Sequence, residues 1–151
     1  LKVTVADAMP SVGRKFLMAG KSGLNLTKME PMDQFLAVYG DVPSMMRDAL
    51  TDFGPQAVAD WVTGLDQPVF TGSTGRLFPV AMKASPLLRA WMGRLTDLGV
   101  VFNTRWSWQG WDAGALLFET PDGVQKLKPD VTVLALGLLY HRGSLTTWVD
   151  G

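Results

Sequence analysis

Residues Leu1 to Thr27 read LKVTVADAMPSVGRKFLMAGKSGLNLT, a short apolar alternation that runs into an acid and then into a glycine-spaced basic segment. Val3 and Val5, separated by Thr4, have the period of two that predicts a strand, ending at Asp7. The segment after it decides what kind of fold follows. Its Gly20-Lys21-Ser22 imitates the end of a triphosphate-binding loop, GxxxxGK[ST], whose first glycine opens a turn of backbone N–H groups around the phosphates. The spacing fails: that glycine belongs at position 15, which is lysine, and Gly13 stands two residues too early. The intervening Lys15, Phe16, Leu17, Met18 and Ala19 are also too bulky for a phosphate nest. Two readings stay open, a plain surface loop punctuated by glycines and the first turn region of a dinucleotide-binding unit. In such a unit an acid at a strand end accepts hydrogen bonds from a ribose hydroxyl.

Beyond the loop, four segments carry helix signals. In EPMDQFLAVYG, Pro31 suits a first turn, Phe35, Leu36 and Tyr39 share a face, and Gly40 suits a left-handed stop. DVPSMMRDALTDFG repeats the logic with Met45, Met46, Ala49, Leu50 and Phe53. PQAVADWVTGL aligns Val58, Trp61, Val62 and Leu65. SPLLRAWMGRLTDLG has Ser85 as the expected N-cap, Pro86 in the first turn and a stripe of Leu87, Leu88, Trp91, Leu95 and Leu98 before Gly99. A helical insertion over about 30–98 is therefore expected. From Val100 the period changes to two: VVFNTRWSW, ALLFET and VQKLKP predict a three-stranded antiparallel meander over about 100–129, with a turn at Asp122-Gly123. VTVLAL, residues 131–136, lacks polar alternation and reads as a buried strand of a parallel sheet. The fold class expected is α/β.

Composition narrows the function. The 151 residues suit one domain. With 14 basic and 14 acidic residues, the total charge points to neither nucleic acid nor an anionic membrane. The absence of cysteine excludes disulfides, thiolate nucleophiles and Cys-ligated zinc, with a cytoplasmic location as the default. The lone His141 cannot assemble a histidine metal cluster, and no acid or nucleophile neighbours it in sequence. The longest apolar run, Val131 to Tyr140, is much shorter than the roughly 18 residues of a membrane span. Trp106, Trp108 and Trp111 could stack on bases, but only Arg105 supplies charge nearby, so a covered meander face accounts for them better.

Several blocks resemble, in order, the HI0933-like group of FAD-binding flavoproteins (aminoacetone-oxidase-like and bile-acid-reductase-like). They are VADAMPSVGRKFLMAGKSGLNLT, GSTGRLFPVAMKASPLLRAW, TRWSWQGW and VTVLALG, and they span nearly the whole chain. The resemblance implies a partial Rossmann-type FAD-binding domain with inserted segments, belonging to an oxidoreductase that acts on a small-molecule substrate. FAD is the implied cofactor and NAD(P)H a candidate electron donor.

By the same resemblance, Asp7 takes the place of the acid on the adenosine ribose, followed by Arg14 and Lys15. Gly20, Lys21, Gly23, Asn25 and Thr27 match the loop beside the flavin. Trp106 falls near an adenine-contacting position, and Gly137 matches the first glycine of the turn after the buried strand. Gly143, Ser144 and Trp148 fit the element that follows. Leu138 replaces a second glycine, and no GxGxxG precedes Leu1. These departures lead to the expectation of a fragment of a longer protein, inactive by itself. They also leave open a remnant or interaction module that no longer binds cofactor.

Overall fold

The computed structural model describes residues 1–20 and 23–136. The alternating start forms strand β1, Thr4–Asp7, and its hydrogen-bonded neighbour is β5, Val101–Thr104, lying parallel to it. Asp7 stands opposite Thr104 in this register. A parallel pair needs a long crossover, and here residues 8–100 make it, carrying five helices and a second sheet. The architecture is α/β, with one parallel and two antiparallel sheets, as expected for a partial Rossmann-type domain.

The helices are α1 (Arg14–Ala19), α2 (Met32–Ala37), α3 (Ser44–Asp52), α4 (Pro55–Thr63) and α5 (Ala84–Asp97). α4 opens with Pro55 at its first position, where the missing N–H has no intrahelical partner to lose. α5 ends at the left-handed Gly99, φ 83°. Its start differs from expectation. The cap is Lys83, in extended conformation, and Ser85 lies inside the first turn. The reason is packing, because Ala84 is buried and the helix begins where that contact is made.

The core collects Val62 and Leu65 from the α4 region, Ala84 and Leu87 from α5, and Leu24 from the loop after α1. Phe16, Trp61 and Trp91 close around it, with Trp91 edge-on to both of the others at 6.3 and 5.2 Å. Val62 and Leu87 are fully enclosed. By contrast α2 and α3 contain no buried residue, so the apolar faces expected there are not core. Met45, Met46 and Phe53 are all more than half exposed.

The insertion is also not purely helical. Thr27–Lys28 (β2), Val69–Thr71 (β3) and Arg76–Pro79 (β4) form an antiparallel sheet in the order β2-β4-β3. Leu77 and Pro79 point into the protein, while Phe78 stacks on Phe70 at 5.8 Å on the other face. The meander is shorter than expected. Val101–Thr104 belongs to the parallel pair, and the chain turns out of it at Arg105, φ 59°. The antiparallel sheet is β6 (Ser107–Asp112), β7 (Ala115–Thr120) and β8 (Gly123–Leu127). Ala113 and Gly114 join the first two with positive φ at both positions, the geometry that matches strand twist.

The buried strand expected at 131–136 is not formed. These residues have no strand assignment, and Val131, Val133, Leu134 and Leu136 are exposed. An apolar run becomes a buried strand only when another strand takes its backbone hydrogen bonds, and among the described residues none does so. No described helix is long and apolar enough to cross a membrane.

Candidate functional site

Asp7 ends β1, and its carboxylate organises the turn that follows. Oδ1 accepts from the Met9 backbone N–H at 2.9 Å. This local bond is typical of aspartate at a turn. The other oxygen has no partner among the described residues. The turn is tied to the end of β5 as well: the Arg105 N–H donates to the Met9 carbonyl and the Trp106 N–H to the Asp7 carbonyl, both at 3.0 Å. The carboxyl ends of two parallel strands therefore hold Asp7 and Trp106 side by side. The Trp106 ring lies 5.4 Å from that of Phe118, which is buried in β7. A carboxylate at this strand end can accept hydrogen bonds from a hydroxyl pair, and the half-buried Trp106 on the adjoining strand end can offer an aromatic face to a flat ring.

Arg14 and Lys15 form the first turn of α1 and are exposed. The segment from Arg14 to Ala19, RKFLMA, is thus a helix that places Phe16 against the core rather than surrounding a phosphate. Gly13 and Gly20 flank it, and both face α5. A Cβ on Gly20 would sit 2.5 Å from the Ala84 Cβ and 3.0 Å from its backbone nitrogen. A Cβ on Gly13 would meet the Leu88 side chain at 2.8 Å. Gly20 is buried, and its structural task is close helix packing.

Gly23 takes φ 120°, beyond the ordinary reach of a side-chain-bearing residue, and a Cβ there would meet Met82 at 2.9 Å. It turns the chain beside the start of α5. Leu24 is then buried, Asn25 is exposed and Thr27 enters β2. The described candidate residues fall into three groups: Asp7 with Trp106 at the parallel strand ends, Arg14 and Lys15 on the first turn of α1, and Gly20, Gly23, Asn25 and Thr27 along the start of α5 and β2. Lys21 and Gly137 lie outside the described residues, as do His141, Gly143, Ser144 and Trp148.

Asn25 and Thr27 also border a cleft of about 380 Å³ that sequence reasoning did not find. Its other walls come from Leu26, Lys28, Glu30, Phe35, Val38 and Tyr39. Phe35 and Tyr39 had the spacing of a core face, and only the exposure of α2 reveals them as cleft residues. In the meander, the buried indole N–H of Trp108 has no acceptor among the described residues. Among the described residues no cluster of His, Asp or Glu is arranged to hold a metal ion.

A family model described as the HI0933-like protein Rossmann domain matches residues 1–146. No curated protein matches the chain. With nearly its whole length covered, the chain belongs to the HI0933-like Rossmann-domain family.

Proposed function

We propose that the chain binds FAD as part of an oxidoreductase, with Asp7 on the adenosine ribose, Trp106 beside the adenine and the Gly23 to Thr27 loop beside the flavin. The observation that carries this reading is the pairing of Asp7 and Trp106 at the carboxyl ends of β1 and β5, with one carboxylate oxygen unengaged among the described residues. Ligands of open α/β sheets bind outside the carboxyl ends of parallel strands. The group fits the residues: a ribose diol needs an acceptor, and adenine needs a flat apolar neighbour.

Bound FAD supplies the two-electron chemistry, with NAD(P)H the candidate donor and a small molecule the substrate. The chain's own contribution is to hold and orient. Asp7 keeps its carboxylate aimed through the Met9 hydrogen bond, and Gly23 lets backbone pass close to a cofactor. Arg14 and Lys15 add positive charge at the exposed first turn of α1, after the strand end. The test is a comparison of FAD with FMN, which lacks the adenosine ribose. Followed by flavin fluorescence, FAD is expected to bind at least about tenfold tighter than FMN, the equivalent of one charge-assisted hydrogen bond. Equal affinities would remove the adenosine-side anchor from the account.

A further inference from the structure

We propose that the cleft between β2 and α2 is a substrate subsite for an uncharged ring compound carrying a carbonyl group. Its volume, about 380 Å³, lies within the range of small-molecule sites, roughly 300–1,000 Å³. One wall is aromatic: Phe35 and Tyr39 meet edge to face at 5.3 Å and 67°. Val38 continues this apolar wall at the rim and is 78% exposed. The opposite wall is fixed backbone. β2 pairs with β4, and the Leu26 and Met29 N–H groups donate to Leu77 and Gly75 at 2.9 and 2.7 Å.

The polar end of the cleft selects the ligand's charge. Lys28 Nζ donates to Glu30 Oε2 at 2.6 Å, and the Glu30 side chain is only 11% exposed while that of Lys28 is 55% exposed. The two charges cancel locally, so the cleft has little net attraction for an ion. The ammonium nevertheless has three donors and uses one on Glu30. Because Lys28 lines the cleft and its side chain is 55% exposed, the remaining donors can serve a neutral acceptor such as a carbonyl oxygen. A flat ring then lies along Phe35 and Tyr39. Naming this occupant a substrate rests on the flavin reading above, because Asn25 and Thr27 border both the cleft and the loop assigned to the flavin.

The test needs no flavin. Backbone amide shifts of the isotope-labelled protein are followed as 1-tetralone, an uncharged bicyclic ketone, is added, with 2-naphthoate as an anion of similar shape. The expected result is saturable shifts centred on residues 25–39, with the ketone binding several-fold tighter than the carboxylate. Phe35→Ala should weaken the ketone about tenfold. Val38→Asp, on an exposed position where folding is not at risk, should weaken it in the same direction. Shifts scattered over the surface, equal or tighter binding of the carboxylate, or no change in either variant would overturn the proposal. Ketone binding by a protein that ignores FAD would support the cleft as a ligand site and remove the flavin reading alone. FAD binding without ketone binding would remove the cleft alone.

Discussion

Gly20 shows how a missing side chain can determine a packing distance. α1 is only 6 residues long, too short to be stable by itself, so its helicity depends on docking. Gly13 and Gly20 flank it, and Phe16 between them enters the cluster with Trp91. Gly20→Ala would drive a methyl group into Ala84 backbone, which cannot rotate away. The expected loss is about 1–3 kcal/mol of stability, as for other overpacked cores, read from the urea midpoint. An unchanged midpoint would mean that α1 docks less tightly than the geometry indicates. The glycines were legible in the sequence as special positions, but their purpose was not. Sequence spacing shows which residues lack side chains and does not show which neighbour comes close. Asp7 is the opposite case, since an acid closing a two-period strand can be recognised from sequence and its turn bond is local.

Among the elements, α5 was the most legible, because Leu87, Leu88 and the terminal glycine are local signals that the fold respects, although Leu98 at the end of the expected stripe is 69% exposed. Its cap was not, since the Ala84 contact with Gly20 lies some sixty residues away in sequence and moves the start ahead of Ser85. β2, β3 and β4 contain 2, 3 and 4 residues, too few for a period to register. For 131–136 the apolar composition was real, but a strand is a property of a pair and no partner is present among the described residues. Leu87 gives a test at this scale. Fully enclosed in the core, its replacement by alanine is expected to cost about 2–5 kcal/mol. Amide exchange should accelerate in α4 and α5, while β7, built around the separately buried Leu116 and Phe118, keeps its protection. Equal loss of protection in β7 would show one cooperative core in place of two packing centres.

At the scale of the whole molecule, a third sheet, β2-β4-β3, joins the parallel sheet and the antiparallel meander that the sequence suggested. The long crossover from β1 to β5 returns the chain so that Trp106 reaches Asp7, almost a hundred residues earlier. That junction is the physical basis for the proposed contact between Asp7 and the adenosine ribose. The most direct measurement is a fluorescence titration of FAD into the wild-type protein and the Asp7→Ala and Asp7→Asn variants, with circular dichroism confirming that each is folded. The account predicts that Asp7→Ala weakens FAD at least about tenfold, a loss of ~1.4 kcal/mol, and that Asp7→Asn, which keeps an acceptor without the charge, falls between. FAD affinity unchanged in folded Asp7→Ala, or no saturable FAD binding by the wild-type protein, would contradict it.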